Sequence, residues 1–184
     1  KKEDKLYSCC AKSMYMYIKT RWVRLRLQYP ELTDIQCSLL ESSLLQRYNN
    51  FGMDFDTDIT HLEPESFPQM SDWYNLLIKL SETDPKYTDL AILMRSMAIG
   101  ADAFLWNGHT NIDSDNQIVC FDTNKLLNFS QATQASCYFN ILSLCWDLIS
   151  RNRAERIILY MDEVHIALDP RLPEVGLYRR TLPK

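Results

Sequence analysis

Arg156-Ile157-Ile158-Leu159-Tyr160-Met161-Asp162-Glu163 is the stretch on which the reading of this chain turns. Five consecutive large apolar residues, two of them β-branched, run directly into two acids. An apolar run this short predicts a fully buried strand, as in a parallel sheet covered on both faces. Such a strand delivers Asp162 and Glu163 at its carboxyl end, the edge at which open α/β sheets bind ligands. The plainer alternative is a core strand that merely ends in solvated acids.

Working back from that stretch, Arg151-Asn152-Arg153 interrupts a helical pattern that begins at Ser130 and carries Tyr138, Ile141, Leu142, Cys145, Leu148 and Ile149 on one side. Before it, Gln117-Ile118-Val119-Cys120-Phe121-Asp122 reads as another strand. Strand, helix and strand with short joins predict a βαβ unit, hence a parallel pair and a right-handed crossover. After the second strand, Pro170, Pro173 and Pro183 argue against a long final helix, and Arg179-Arg180 read as solvated.

Residues 1–116 have a different character, and the predicted division of the chain falls there: 1–116 all-helical, 117–184 part of a parallel α/β layer. Leu6, Cys10, Met14, Tyr17, Ile18, Trp22 and Leu25 predict a helix over residues 4–28, ended by Tyr29-Pro30. Its basic residues Lys12, Lys19, Arg21, Arg24 and Arg26 read as a solvated face. Thr33-Asp34-Ile35-Gln36 is a capping box opening a helix with Ile35, Leu39, Leu40, Leu44 and Tyr48 on one face, and Gly52 sits where such a helix stops. Helices are predicted over 71–82 (Trp73, Leu76, Leu77, Leu80) and 85–99 (Leu90, Ile92, Leu93, Met94, Met97), with Pro85 in the first turn of the latter. Residues 51–70 and 100–116 read as irregular connections. Asp54, Asp56 and Asp58 resemble a calcium loop, but the glycine at its sixth position is missing, Ile59 standing there instead.

Composition sets outer bounds. The 184 residues, 46% hydrophobic and 24% charged, suit one globular domain or one domain with a large insertion. A net charge of −4 argues against a broad surface for naked nucleic acid. The six cysteines, Cys9, Cys10, Cys37, Cys120, Cys137 and Cys145, include no Cys-x-x-Cys pair and read as buried cytoplasmic thiols rather than a zinc site. No apolar run reaches membrane length.

In P-loop nucleotide hydrolases an Asp-Glu pair placed as Asp162-Glu163 is the Walker B motif. The aspartate holds the magnesium shell, and the glutamate orients or activates the attacking water. The phosphate-cradling loop that accompanies it, G-x-x-x-x-G-K-[ST], cannot be built from Gly52, Gly100, Gly108 and Gly176. The chain opens on Lys1-Lys2-Glu3-Asp4-Lys5 with no initiator methionine. The expectation is therefore a piece of a longer protein, with the phosphate loop upstream of residue 1 and no cofactor-binding loop within it.

Thr33-Asp34-Ile35-Gln36 followed by Leu39-Leu40-Glu41, then Ser71-Asp72-Trp73-Tyr74, Thr110-Asn111-Ile112-Asp113, Ile118-Val119-Cys120-Phe121-Asp122 and Tyr160-Met161-Asp162-Glu163 occur in this order. The series resembles the large ATPase of type IV secretion and conjugation machines, the VirB/TraC type, also found in bacterial integrative conjugative elements. It covers about Leu32 to Arg180. The resemblance implies a RecA-like P-loop motor domain with a helical insertion between Walker A and Walker B, matching the division near residue 116. It further implies ATP and magnesium as cofactors of the parent protein and a hexameric ring at the cytoplasmic face of the inner membrane. The implied partners are the other subunits of the secretion apparatus, with indirect contact to DNA. Two roles carry over by residue: Asp162 for magnesium, held through water, and Glu163 for catalysis. Lacking Walker A, the glutamine sensor and the trans-acting arginine of that family, this piece alone is expected to be inactive and to bind no cofactor.

Two other functions compete. The helical part reads as a docking module for other machine components, motivated by the exposed-looking Trp73, Tyr74 and Trp106 and the acidic stretch 54–65. Asp162-Glu163-Val164-His165 also fits the box of DEAD/DEAH-type helicases, although no basic or aromatic nucleic-acid motif accompanies it.

Overall fold

Thr33 starts the first long helix as its spacing from Gln36 predicts. The Gln36 amide donates to Thr33 Oγ1 at 3.3 Å, and the Thr33 amide donates back to Gln36 Oε1 at 3.0 Å. In this computed structural model, which describes residues 14, 17, 18, 20–54, 57–59, 62–109, 112, 116–151 and 156–162, helices predominate. They are α1 (residues 20–28), α2 (Asp34–Asn50), α3 (Met70–Thr83), α4 (Thr88–Ile99), the short α5 (Ala103–Trp106) and α6 (Gln131–Arg151). Single 3-10 turns stand at Pro64–Ser66, Pro85–Tyr87 and Asn124–Asn128. The chain forms two units: residues 1–19 with 32–112, and residues 20–31 with 113–184.

In the first unit, α2 ends as its glycine predicts. Gly52 takes φ +74°, its amide bonds the Asn49 carbonyl at 2.9 Å, and the Met53 amide bonds the Tyr48 carbonyl at 3.0 Å. This pair of bonds closes the last carbonyls of the helix, and the left-handed residue between them suits glycine. The buried stripe of α2 is Cys37, Leu40, Ser43, Leu44, Arg47 and Tyr48. Ile35, expected on that face, is exposed because it lies on the opposite side of the helix.

The stripe of α2 meets Met70, Trp73 and Leu77 of α3, which follow one another at three- and four-residue steps. The Trp73 indole N–H donates to Ser43 Oγ at 2.9 Å, so this buried aromatic ring carries a satisfied polar end. The Arg47 guanidinium, also buried, donates through Nη2 to the Pro68 carbonyl and lies 5.2 Å from the Tyr48 ring centroid and 5.9 Å from that of Trp73. Tyr17 adds an edge-on contact to Tyr48, centroids 5.9 Å apart, and a tilted one to Phe67 at 5.2 Å. Residues 62–69, irregular as expected apart from one 3-10 turn, are held to α2 through this arginine.

Pro85 opens a single 3-10 turn rather than α4 itself; the Lys86 amide donates to Asp84 Oδ1 at 3.0 Å, and α4 begins at Thr88. Leu90, Ala91, Met94, Met97 and Ala98 are the buried side of α4, so the methionines fill core. Ile92, expected among them, faces solvent. The connection expected over 100–116 contains α5. It turns tightly at Gly100, where an added Cβ would stand 2.8 Å from Ser96 Cα, and Ser96 Oγ donates to Asp102 Oδ2 at 2.7 Å. Beyond α5, Asn107 Oδ1 accepts the Ser71 amide at 2.9 Å and His109 Nε2 lies 2.5 Å from Gln69 Nε2. These contacts close the N-terminus of α3, where Asp72 Oδ2 also accepts the Gln69 amide at 2.6 Å.

In the second unit, Leu27 of α1 packs with Ala135 and Phe139 of α6, flanked by Val23. Ser136 Oγ donates to the Arg24 carbonyl at 3.0 Å, and Gln28 Nε2 donates to Thr133 Oγ1 at 3.1 Å. Arg24, expected on a solvated face, is buried by this contact. Ser130 Oγ accepts the Thr133 amide at 3.2 Å and so caps α6 where the sequence predicts its start. The strands expected over 117–122 and 156–161 do not form among the described residues; both segments are neither helix nor strand. A strand exists only through bonds to a neighbouring strand, whereas a helix satisfies its backbone internally.

The described cysteines are all free thiols, and three of the four, Cys37, Cys137 and Cys145, are buried as expected. Cys120 is exposed, because the segment that was to bury it is uncovered. Burial pushes the Cys137 thiol up to about 11, with Arg24 pulling it partly back, and burial also raises Cys145.

Two measurements check this packing. Ser43→Ala leaves the buried Trp73 N–H without its acceptor and is expected to cost about 1–3 kcal/mol in urea denaturation; an unchanged midpoint would count against the bond. Alkylation at mildly alkaline pH is expected to label Cys120 quickly and Cys137 only on unfolding. Because the folded Cys137 thiol holds its proton more tightly than the unfolded one, its contribution is neutral below 9.0. It lowers stability as pH rises from there towards about 11.

Candidate functional site

Residues 156–162 bring the expected site to the surface of the second unit. Exposure alternates along them: Ile157 44%, Ile158 91%, Leu159 45%, Tyr160 85%, then a half-buried Met161 and an exposed Asp162. A period of two is the side-chain alternation of a strand, with one face partly covered and the other bare. The segment is therefore not the fully buried strand of the sequence reading: its core-type residues lack cover among the described residues. Asp162 stands at a bend directly after the run. Glu163, with His165, Arg179 and Arg180, lies outside the described residues.

The second apolar run behaves alike. Ile118 is 87% exposed and Val119 37%; Cys120 is exposed, Phe121 half-buried and Asp122 exposed. Asp122 Oδ1 accepts the Asn124 amide at 2.9 Å, which fixes one carboxylate oxygen over the start of the 3-10 turn. Both runs thus end on an exposed aspartate.

The donor set can be tested against the cofactors that the motif implies. An exposed aspartate is the hard oxygen donor that magnesium takes while it keeps most of its waters and binds phosphate oxygens, so Asp162 fits that role. Among the described residues no three His, Cys, Asp or Glu side chains form a group able to hold a metal ion by themselves. In the acidic stretch, Asp54 and Thr57 bond each other instead, with Thr57 Oγ1 donating to Asp54 Oδ1 at 2.8 Å. Gly52 and Gly100 serve a helix end and a tight turn. Among the described residues the segment thus offers an acidic donor, while these two glycines are committed to the backbone of the first unit.

The features that suggested a docking module are placed differently from the expectation. Trp73 and Trp106 are core residues, and Tyr74 is half-buried. Trp73 occupies the inward position of α3 between Met70 and Leu77, a spacing visible in the sequence. Arg47 escaped the sequence reading altogether, since one arginine at the edge of an apolar stripe resembles a snorkelling surface residue. No helix of the described residues is long and apolar enough to cross a membrane.

No protein-family model and no curated protein matches the sequence. Among solved structures, VirB4 of Thermoanaerobacter pseudethanolicus is similar, with a TM-score of 0.84 and 31% sequence identity over 91% of this chain. The match spans 45% of the VirB4 chain, so the present chain corresponds to less than half of that protein. On that similarity, over nearly the whole of its own length, the chain belongs to the VirB4 family of type IV secretion proteins.

Proposed function

We propose that this chain is the helical insertion (1–116) and the Walker B part (117–184) of a RecA-like motor domain that hydrolyses ATP to drive type IV secretion or conjugative DNA transfer. The observation that carries the reading is the pair of apolar runs on either side of α6. Each alternates in exposure and ends on an aspartate, within a chain 31% identical to VirB4. Helix α6, at 21 residues, is long enough to serve as the crossover of a βαβ unit. The bare side chains Ile158, Tyr160 and Ile118 then become the faces that the rest of such a sheet covers. A relative about twice as long has the chain to supply that cover and the phosphate loop.

In this reading Asp162 orients waters around magnesium, whose charge offsets that of the nucleotide phosphates. Glu163, next in sequence, aligns and polarises the attacking water. The parent acts as a ring of subunits, a hexamer, peripheral to the cytoplasmic membrane and in contact with other subunits of the apparatus. The docking reading is left without its two tryptophans, which are core.

The full-length protein that carries this segment tests the proposal. Glu163→Gln is expected to leave ATP binding intact while lowering turnover by about 10²-fold or more, the usual size of a general-base contribution. Asp162→Asn is expected to remove the magnesium dependence of binding. A full-length protein that binds no nucleotide would overturn the motor reading.

A further inference from the structure

Helix α4 is apolar on two sides. Leu90, Ala91, Met94, Met97 and Ala98 face the core of the first unit, yet Ile92 is 67% exposed and Ile99 57%. Seven residues apart, these two stand on one face of the helix, about 10.5 Å from each other along its axis. Ser96 lies between them on that face, and there the next element arrives. Ser96 Oγ donates to Asp102 Oδ2 at 2.7 Å, and the Ser96 carbonyl accepts the Asp102 amide at 3.2 Å. Phe104, the second residue of α5, is 72% exposed. It follows Asp102 by two positions, at most about 7 Å of chain. Ile92, Ile99 and Phe104 thus border one junction. Single exposed apolar residues are ordinary, whereas a helix apolar on opposite sides is suited to packing on both.

Charge indicates what covers this face. Residues 32–112 hold twelve Asp and Glu against four Lys and Arg, and adding residues 1–19 of the same unit makes fourteen against nine. The second unit has ten against eleven, so the chain's net charge of −4 originates in the first. Such a field draws basic partners and repels acidic ones, an anionic lipid surface included. We propose that the α4–α5 face of the first unit is a docking surface for an amphipathic helix of another protein. The apolar side of that helix lies on Ile92, Ile99 and Phe104, and its flanks carry Lys and Arg. In this mode of recognition apolar anchors supply the affinity, while the surrounding charges choose the partner. Exposed Asp89, one turn before Ile92, is placed to pair with a base on such a flank. Arg95 is the one base of α4, so the preference is set by the unit and not by this helix alone. The proposal rests on the reading above only in taking the secretion apparatus as the source of the partner, and not on the ATP chemistry.

The test uses the full-length protein that carries this segment and two fluorescent amphipathic peptides. Both have the same leucine face; one has lysines and the other glutamates on its polar face. Anisotropy is expected to show binding of the lysine peptide and none of the glutamate peptide. Ile92→Ser, Ile99→Ser and Phe104→Ser are each expected to weaken that binding by about 10-fold or more, the size typical of an anchor residue. Melting temperature and ATP turnover are expected to stay unchanged, because all three side chains already stand in solvent. Affinity within about twofold of the unmodified protein in all three variants would reduce the binding to diffuse attraction and overturn the surface. Binding of neither peptide would also overturn it, and equal binding of both would overturn the chemistry of the partner. A dimer of the unmodified protein in sedimentation, dissociated by Ile92→Ser and Phe104→Ser, would put a second copy of the chain on this face and overturn the proposal. Peptide binding that survives Glu163→Gln, whatever that variant does to turnover, separates this surface from the motor reading.

Discussion

The buried guanidinium of Arg47 is the constraint around which the first unit is arranged. Taking a charged group out of water costs several kcal/mol even after relaxation, so it must be surrounded by compensating partners. Here the carbonyl of Pro68 accepts one N–H, and the rings of Tyr48 and Trp73 lie against the cation. A hydrogen bond to a charged group contributes about 1.5–3 kcal/mol and a desolvated cation–π contact about 2, comparable in size to the penalty. The compensation works only if α2, the segment before α3, and α3 itself keep their places. Ser43 and Tyr17 follow from the same arrangement, since Trp73 needs an acceptor for its indole and Tyr48 a ring against its edge.

The two units meet the demands of their backbones in different ways. Helices α2 to α5 complete their own hydrogen bonds and close their ends locally, with Thr33, Gly52 and Asp84 at the boundaries and Asn107 over the start of α3. The second unit buries α1 against α6 but leaves Ile118, Ile158 and Tyr160 in solvent. Such residues have high strand preference and high apolar area, a combination that is costly when uncovered. They stand exposed in a chain that spans 45% of the VirB4 chain it resembles.

In the proposed reading Asp162 stands at the end of one exposed apolar run, and a phosphate-cradling loop cannot be built from the glycines of this sequence. The tryptophans of the helical part, which looked like contacts for partners, are committed to its own core.

The sequence by itself determined the local events: the capping box at Thr33, the glycine stop at Gly52, the starts of α3 and α6, and the family, through motifs in order. Each depends on residues within a few positions of one another, where periodicity and end chemistry act directly. Only the tertiary structure decided that Arg24 and Arg47 are buried, that Ile35 and Ile92 are not, and that Trp73 and Trp106 belong to the core. Those outcomes depend on which neighbouring element arrives at a given face, and helical spacing identifies a stripe without naming its edges. The strands show the same limit most plainly. Their apolar runs and terminal acids can be read in one dimension, but a strand is completed by its neighbours, and its burial is a property of the sheet.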